Sequence, residues 1–348
     1  MPDFLYRNNR DGTFTNVVDQ VVPHMTYSSM GSDLGDLNND GLIDFMVADM
    51  AASTHQKDQR TMADTRSRTK DLRDGTTAAP NYLHNAVYLN TDTGRVLEAA
   101  YLTGLAATDW TWSVRFEDLD NDGRLDLHVT NGMHREIHNT DLLNKMMTAE
   151  SAQERIRLAR SNPVLVENHF AFRNLGDLHF ENTGRAWGLD QKGVSFGTAF
   201  GDLDGDGDLD MVYTNFEGGP TVLRNDSDSG HRIIVELRGV SSNRYGVGAT
   251  VRLESAAGVQ VRQLVLARGY MSTSEPVLHF GLGMDSVVTR LEVAWPSGQK
   301  QVFENVRADQ RYLITEPAGA PAAVVEAKKE SPGQFEEVSQ AANLSWTA

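Results

Sequence analysis

The stretch DLDGDGDLD occupies residues 202–210 and places five carboxylates in nine positions. Two related stretches occur earlier, DLNNDGLID at residues 36–44 and DLDNDGRLD at residues 118–126. All three have Asp at positions 1, 5 and 9, Asn or Asp at position 3, and Gly at position 6. Together they hold 12 of the 48 acidic residues of this 348-residue chain, where an even distribution would place about 4. Carboxylates this close repel one another, and a hard divalent cation relieves that repulsion.

The spacing within each stretch predicts a Ca²⁺-binding loop. Oxygens from positions 1, 3, 5 and 9 and the backbone carbonyl of position 7 can converge on one ion, because Gly at position 6 permits a sharp turn. Mg²⁺ is less suited, since it seldom accepts an all-protein set of ligands. The predicted ligands of the three sites are Asp36, Asn38, Asp40, the Leu42 carbonyl and Asp44; Asp118, Asp120, Asp122, the Arg124 carbonyl and Asp126; and Asp202, Asp204, Asp206, the Asp208 carbonyl and Asp210.

Two other interpretations of these loops are weaker. An EF-hand requires Glu at position 12, which is Val47, Val129 or Tyr213 in the three copies. A solvated acidic turn would account for one copy, but poorly for three copies in register. The residues after each loop are apolar and partly β-branched, which predicts that each loop leads into a buried strand.

The loops belong to an internal repeat. Short apolar runs end in Asn8, Asn90 and Asn174, each of which lies 28 residues before the first Asp of a loop, and a fourth run ends in Asn225. The third loop lies only 23 residues from its following Asn, which gives a bare repeat of about 51 residues. A unit of this size made of short strands predicts a blade of a β-propeller.

Two longer insertions interrupt the repeats. Residues 53–80 are polar with little periodicity, which predicts a mobile surface loop. Residues 134–167 contain good helix formers and predict a helix over 141–160, capped near Thr140 or Asp141. The apolar residues expected to pack this helix on the rim of a blade are Leu142, Leu143, Met146 and Met147.

The pattern changes after residue 230, where no acidic loop recurs. Residues 232–238 alternate like a strand. Turn residues predict hairpins that join 250–255 to 259–267 and 291–295 to 301–306. A smaller all-β module therefore follows the repeats.

The repeats resemble FG-GAP/VCBS propeller repeats, and residues 230–317 resemble the ASPIC/UnbV module through the motifs NRYGVGAT, RGYMS, HFGLG, AWPSG and FENV. With TDWTWS at 108–113 and TNGM at 130–133, the chain is similar to bacterial VCBS-repeat proteins related to the cartilage acidic protein family. This resemblance implies an all-β fold with a partial propeller at 1–229, a small β-sandwich-like module at 230–317, calcium binding and an extracytoplasmic setting. Asn38 and Tyr245 depart from the family pattern, and Asn38 is expected to weaken the first site.

Catalysis is not predicted. GVSFG at 193–197 spells a nucleophile elbow around Ser195, but that elbow needs a strand, a turn and a helix, whereas this segment leads into an acidic loop. HREIH at 134–138 lacks the Glu position of the zinc protease motif. Four tryptophans could stack on sugar rings, although packing between strands is the commoner role: Trp110, Trp112, Trp187 and Trp295.

Charge and composition restrict the partners and the compartment. The net charge is −16, and three calcium ions would leave about −10, which disfavours nucleic acid and anionic lipid. No apolar run is long enough for a membrane span, and the chain has no Cys for disulfides. Loops of modest affinity suit the millimolar calcium found outside cells. We expect an extracellular, outer-membrane surface or periplasmic location.

The ends of the chain predict a fragment of a longer exported protein. No signal peptide precedes the first repeat, and three acidic loops are fewer than the 4 to 8 blades of a closed ring. We therefore expect that truncation removed the signal peptide. Residues 318–330 predict a linker, and residues 331–348 predict either the start of a further repeat or a free tail.

These observations predict a non-catalytic, calcium-binding scaffold for recognition or adhesion, with a protein or glycan ligand at a bacterial cell surface. A calcium-dependent enzyme acting on polysaccharides is the alternative, and it would need a pair of carboxylates in a cleft away from the three loops. A purely structural spacer is the third possibility.

Overall fold

The computed structural model describes residues 3–61, 79–227 and 229–319, and it is an all-β fold with a few short helices. The strands of these residues are β1 Tyr6–Asn8, β2 Phe14–Asn16, β3 Met25–Thr26, β4 Ser32–Gly35, β5 Asp44–Val47, β6 Asn81–Tyr82, β7 Ala86–Asn90, β8 Val96–Glu98, β9 Thr111–Glu117, β10 Asp126–Asn131, β11 Glu167–Asn168, β12 Phe170–Asn174, β13 Phe180–Asn182, β14 Lys192–Gly193, β15 Ser195–Gly201, β16 Asp210–Asn215, β17 Thr221–Leu223, β18 His231–Arg238, β19 Thr250–Ser255, β20 Gly258–Gln263, β21 Val277–Gly283, β22 Val287–Ala294, β23 Lys300–Arg307 and β24 Gln310–Thr315. The helices are α1 Val18–Val21, α2 His55–Thr61, α3 Ala100–Thr103, α4 Thr140–Met147 and α5 Ala152–Ser161.

The residues that the structure describes form five sheets of three or four strands, and the fold has a β-propeller arrangement. Three of them repeat one pattern, with strand orders β4-β5-β7-β8, β9-β10-β12-β13 and β15-β16-β17 and antiparallel neighbours throughout. In each sheet an acidic loop joins the first strand to the second, and the second strand begins at position 9 of the loop. The prediction that each loop leads into a strand is confirmed.

Apolar residues inside the acidic loops anchor them to the cores between sheets. Leu37 and Leu125 are buried in a core that the first and second sheets share. Leu119 and Leu209 are buried in the next core, with Phe200 of the third sheet. Burying a leucine side chain contributes about 2 kcal/mol. The loops are therefore fixed to the sheets by their own apolar residues as well as by their ends.

The C-terminal module has two sheets, β21-β18-β24 and β20-β19-β22-β23, which enclose one hydrophobic core. Strand β18 pairs in parallel with β24, and the other neighbours are antiparallel. Alternate residues of β18 and β19 point into this core, among them Ile233, Val235, Val251 and Leu253. The two predicted hairpins are present as β19–β20 and β22–β23, although β20 ends at Gln263.

The segment between β20 and β21 crosses the first strands of all three repeat sheets. Gly269 exchanges two backbone hydrogen bonds with Ser32 of β4. The backbone N–H of Tyr270 donates to Ser113 Oγ of β9 at 3.2 Å, and the N–H of Phe200 in β15 donates to Ser274 Oγ at 3.0 Å. This segment therefore joins the C-terminal module to every repeat sheet.

The insertions differ from the sequence-based expectation. Within 53–80, residues 55–61 form α2, so the prediction of a loop throughout is wrong; residues 62–78 lie outside the described residues. Within 134–167 two helices, α4 and α5, replace the single helix over 141–160. Asn139 rather than Thr140 or Asp141 caps α4, by accepting from two backbone N–H groups. Met147 is 82% exposed, so it does not pack on a blade.

A local signal explains the break between the two helices. Ser151 caps α5, since its Oγ accepts from the backbone N–H of Glu154 at 3.1 Å. Ser three residues before Glu is a capping box pattern. The predicted linker and terminal segment reach beyond residue 319 and lie outside the described residues from there on.

Candidate metal centres

Position 1 of each acidic loop organises the turn. Both oxygens of Asp36 accept backbone N–H groups, from Asp40 and Gly41, at 3.0 Å each. Asp118 accepts from positions 5 and 6 of its loop at 3.1 and 2.9 Å, and Asp202 accepts from Gly205 and Gly207 at 2.8 and 3.1 Å. The Gly at position 6 has φ between 90° and 95° in all three loops, a backbone conformation that favours glycine.

Position 9 closes the loop onto the repeated Asn. One oxygen of Asp44, Asp126 or Asp210 accepts from the N–H of position 2, at 2.7 to 3.0 Å. The other oxygen accepts from the backbone N–H of Asn90, Asn174 or Asn225, at 2.8 to 2.9 Å. The side-chain amide of each Asn also donates to backbone carbonyls of the loops. The sequence pattern contained these asparagines, but their role in holding the loop was not predicted.

Positions 1, 3 and 5 bring their side chains together. In the second loop Asp118, Asp120 and Asp122 each place one carboxylate oxygen within 4.8 Å of the others. Asp202, Asp204 and Asp206 do the same in the third loop. Asp126 and Asp210 of position 9 lie outside these groups of three, and backbone N–H groups donate to both of their oxygens.

The first loop has a different polar contact at position 3. Asn38 donates from Nδ2 to Asp40 Oδ2 at 2.9 Å, so a hydrogen bond takes the place of the repulsion that a carboxylate at position 3 would cause. In all three loops the N–H of position 7 donates to the position 5 carboxylate at 2.8 to 2.9 Å. These bonds fix the residues whose carbonyls are the predicted ligands, namely Leu42, Arg124 and Asp208.

Burial makes these carboxylates costly to ionise. Burial, partly offset by backbone hydrogen bonds, raises the pKa of Asp36 to about 6 and that of Asp44 to about 7. Burial, followed by the charges of Asp122 and Asp120, raises the pKa of Asp118 to about 7. Burial, followed by the charges of Asp118 and Asp120, raises the pKa of Asp126 well above its ordinary value. A bound cation would favour the ionised forms.

The donor set fits a hard cation. Oδ1 of Asp120 is buried without a hydrogen-bond partner, and Asp120 belongs to the group of three, so this oxygen is available to bind an ion. Two arginines contact the carboxylates of this loop: Arg173 Nε is 2.6 Å from Asp120 Oδ2, and Arg124 Nη1, from position 7 of the loop itself, is 3.0 Å from Asp122 Oδ2. These guanidinium groups offset part of the negative charge and would compete with a cation.

The loops contact one another in series. Asn39, at position 4 of the first loop, donates from Nδ2 to the Gly123 carbonyl of the second at 3.1 Å. Asn121, at position 4 of the second loop, donates to Asp208 of the third at 2.8 Å. The two asparagines have φ of 55° and 58°, a conformation that Asn tolerates better than most residues. Their role at position 4 was not predicted.

The C-terminal module covers the second loop. The backbone N–H of Gly281 in β21 donates to Asp118 Oδ2 at 3.1 Å. A Cβ at Gly281 would lie 2.2 Å from that oxygen and 2.5 Å from the backbone of Asn121, so only glycine permits this approach. Gln260 donates from Nε2 to the Gly281 carbonyl at 2.7 Å.

The structure gives Ser195 the surroundings of a packed polar residue. His169 Nδ1 accepts from the backbone N–H of Asn131, so the ring proton lies on Nε2, which is 2.8 Å from Ser195 Oγ. The hydroxyl in turn donates to Asn215 Oδ1 at 2.6 Å, and Ser195 is fully buried. A nucleophilic serine would need His as the acceptor of its proton, and here His is the donor.

The remaining sequence candidates pack against neighbouring side chains. Trp110 and Trp295 are buried, and Trp110 contacts His138 with ring centroids 5.0 Å apart. Trp112 contacts Phe196 and Tyr270. Trp187 lies partly buried beside the core of the third sheet. Packing contacts therefore account for the positions of the four tryptophans, and stacking on sugar rings is not needed to explain them.

Comparison with protein families agrees with this architecture. The family model for FG-GAP-like repeats matches residues 2–47 and 75–129, and the model for ASPIC and UnbV matches residues 239–321. The third acidic loop lies outside the matched repeats, yet its position 9 has the same hydrogen bonds as in the first two loops. Its position 1 also accepts two backbone N–H groups of the loop, although from positions 4 and 6 rather than 5 and 6.

The chain is also similar to cartilage acidic protein 1 of three vertebrates. It is 26% identical to the Homo sapiens protein over 333 residues, which is 90% of this chain and 40% of the relative. For Mus musculus the identity is 26%, covering 90% and 41%, and for Xenopus tropicalis it is 25%, covering 86% and 38%. The chain therefore spans about two fifths of the length of these relatives. None of the helices within 3–61, 79–227 and 229–319 has the length and apolar character needed to cross a membrane.

Proposed function

We propose that this protein of FG-GAP-like repeats and an ASPIC and UnbV domain is a calcium-binding, non-catalytic scaffold for extracellular recognition or adhesion. The observation that carries the proposal is the recurrence of one hydrogen-bonded acidic loop at the same place in three sheets. A loop kept only for solubility would not require convergent carboxylates over a fixed backbone turn. The proposed ligand is a protein or a glycan.

Calcium is the proposed ion because the donors are oxygens only. In the second and third loops the carboxylates of positions 1, 3 and 5 converge, and position 7 is held close by its N–H bond to position 5. Carboxylate and carbonyl oxygens in a flexible cage suit Ca²⁺ better than Mg²⁺. When bound, calcium would supply the positive charge that these buried carboxylates lack, and would tie the three sheets together through their loops.

Two considerations support an extracellular setting. Loops of this type are expected to bind calcium with a Kd of about 10⁻⁴ to 10⁻³ M, which is useful only where calcium is abundant. The relatives carry a name that associates them with cartilage.

A hydrolytic alternative would require free carboxylates away from the loops. Asp109 and Glu167 lie close together beside the helical insertion, but Lys57 Nζ contacts both, at 2.6 and 2.5 Å. Arg60 similarly pairs with the buried Glu136 at 2.9 Å. These acids are engaged in ion pairs, which favours a scaffold over a glycoside hydrolase.

The scaffold proposal is tested by binding to protein and glycan arrays, with calcium at about 2 mM or with a chelator. The expected result is a ligand retained only with calcium, and retained less by Asp204→Ala than by the unchanged chain. Hydrolysis of a polysaccharide by the calcium-loaded protein would contradict the non-catalytic assignment. Binding that is unaffected by the chelator would contradict the role of the loops.

Calorimetry is expected to detect about three calcium ions per chain at millimolar concentration. Asp204→Ala should remove one of them, because Asp204 is a member of the third group and its carboxylate is 37% exposed. Asp92→Asn is the matched control, since it removes an exposed carboxylate from a turn where φ is 56°, which Asn tolerates. An unchanged number of ions in Asp204→Ala would contradict the predicted ligands.

A further inference from the structure

A second group of metal-ligating side chains lies in the first repeat sheet, apart from the acidic loops. His24 precedes β3, His84 lies between β6 and β7, and Glu98 ends β8. One ring nitrogen of each histidine and one carboxylate oxygen of Glu98 all lie within 4.8 Å of one another. Both histidines are at most 9% exposed. Nothing in the calcium-binding proposal uses these residues.

The backbone fixes which nitrogens face the group. Nδ1 of His84 is 2.5 Å from the carbonyl oxygen of Asn85, and Nδ1 of His24 is 3.5 Å from that of Met25. A carbonyl oxygen can only accept, so the short contact of His84 places its ring proton on Nδ1, and the longer contact of His24 favours the same tautomer. This tautomer has its lone pair on Nε2. Metal-bound histidines commonly have this arrangement, with the other ring nitrogen donating to a carbonyl.

Backbone N–H groups hold Glu98 in position. Its Oε1 accepts from the backbone N–H of Ala100 at 2.7 Å and from that of Val87 at 3.3 Å. Its Oε2 then faces His24 Nε2 at 3.5 Å. Two ligands bonded to one tetrahedral zinc at about 2.1 Å are separated by about 3.4 Å, which matches this distance.

The lone pairs of the group need a cation between them. With Nδ1 protonated on both rings, two nitrogen lone pairs and a carboxylate oxygen face one another without a donor. Either a proton or a metal ion can fill that position. Imidazole nitrogen with one carboxylate oxygen is a donor set for borderline ions such as Zn²⁺, whereas Ca²⁺ prefers oxygen.

Neighbouring side chains hold the group in place. Tyr88 donates from its hydroxyl to the backbone carbonyl of His24 at 2.8 Å. The ring of Tyr82 lies edge-on to His24 with centroids 5.1 Å apart, and Tyr101 lies 5.1 Å from His84. Tyr82 and Tyr101 are 50% and 74% exposed, so the group lies close to the surface of the protein.

We propose that His24, His84 and Glu98 form a zinc site with three protein ligands, and that a water molecule completes its coordination. The site joins the segment before β3, the segment before β7 and the end of β8. It therefore fixes one edge of the first sheet independently of calcium. The three ligands are separated by 60 and 14 residues, so no short motif marks them in the sequence.

The test is zinc titration of the full chain with calcium present at about 10 mM to occupy the acidic loops. One zinc ion should bind, and His84→Gln and Glu98→Gln should each weaken binding by about 100-fold or more. His134→Gln is the matched control, since His134 is exposed, contacts Phe216 and lies outside the group. Unchanged zinc affinity in both ligand variants would overturn the proposal.

A measurement on the unchanged protein covers the case in which the variants fail to fold. Nitrogen NMR of the imidazoles should show zinc-dependent shifts of Nε2 in His24 and His84, with Nδ1 protonated before and after addition. Cobalt in place of zinc should give the visible absorption of a tetrahedral site. Nε2 of His24 carrying a proton bonded to Glu98 at saturating zinc would instead establish a simple ion pair and overturn the proposal.

Discussion

Asp33→Asn is expected to lower the free energy of unfolding by about 3 to 5 kcal/mol, because it removes one acid from a buried cluster of charges. Arg268 binds Asp33 through two parallel contacts, Nε to Oδ1 at 2.6 Å and Nη2 to Oδ2 at 2.8 Å. Arg115, which is fully buried, lies 3.5 Å from the same carboxylate. Glu117 contacts both arginines, at 2.7 and 2.9 Å. The charges of the two arginines are thus balanced by those of the two carboxylates.

The cluster joins three parts of the fold. Asp33 lies in β4, Arg115 and Glu117 lie in β9, and Arg268 lies in the segment between β20 and β21. Arg115 also donates from Nη1 to the carbonyl of Thr198 in β15 at 2.8 Å. Loss of the Asp33 charge would therefore weaken the attachment of the C-terminal module to the repeat sheets as well as the cluster itself.

Chemical denaturation of the variant and of a control measures this effect. Asp309→Asn is the control, because Asp309 forms an exposed pair with His231 at 2.7 Å, and such pairs contribute about 1 kcal/mol or less. A loss for Asp33→Asn no larger than the loss for Asp309→Asn would contradict the expected role of the buried cluster.

This cluster also illustrates the limit of prediction from the sequence. The three acidic loops could be predicted because position, residue type and glycine spacing recur within nine residues, and the strands follow directly from them. Asp33, Glu117 and Arg268 are far apart in the sequence and have no recurring pattern, so each is indistinguishable from an ordinary surface charge. Only the fold brings them together.

The same limit applies within the candidate sites. The carboxylates of positions 1, 3 and 5 were predicted, and the backbone turn that orients them follows from the Gly at position 6. The contact between Gly281 and Asp118 was not predictable, because it depends on how the C-terminal module packs on the repeats. His24, His84 and Glu98 were missed for the same reason, since their positions depend on strand pairing over 74 residues of chain.

Calcium removal is expected to lower the melting temperature by on the order of 10 °C at about pH 8, and by much less at about pH 5. The reason is the burial of Asp36, Asp44 and Asp118, which raises the pKa of the three carboxyls to about 6, 7 and 7 without a bound cation. At the lower pH protons relieve their repulsion. At the higher pH the groups ionise, and only a cation can replace those protons.

The direction of the pH dependence follows from linkage. A carboxyl whose pKa is higher in the folded state than in the unfolded state binds more protons when folded, so its stabilising contribution is lost as the pH rises from about 4 through about 7. The metal-free protein should therefore become less stable over this range. Calcium should offset that loss, because its binding requires ionised ligands and strengthens as they deprotonate.

Differential scanning calorimetry at both pH values, with about 10 mM calcium or with a chelator, measures the effect. At 100 times the Kd, each site that binds only the folded state contributes about 2.7 kcal/mol of stability. The stabilisation from three sites together therefore exceeds the effect of any single substitution in the loops. Asp118→Asn serves as the internal comparison: it removes one buried charge, so the melting temperature of its metal-free form should fall less steeply with pH. If the calcium-dependent shift were equal at the two pH values, the buried carboxylates would not be the groups that calcium stabilises, and the assignment of the loops as its binding sites would be wrong.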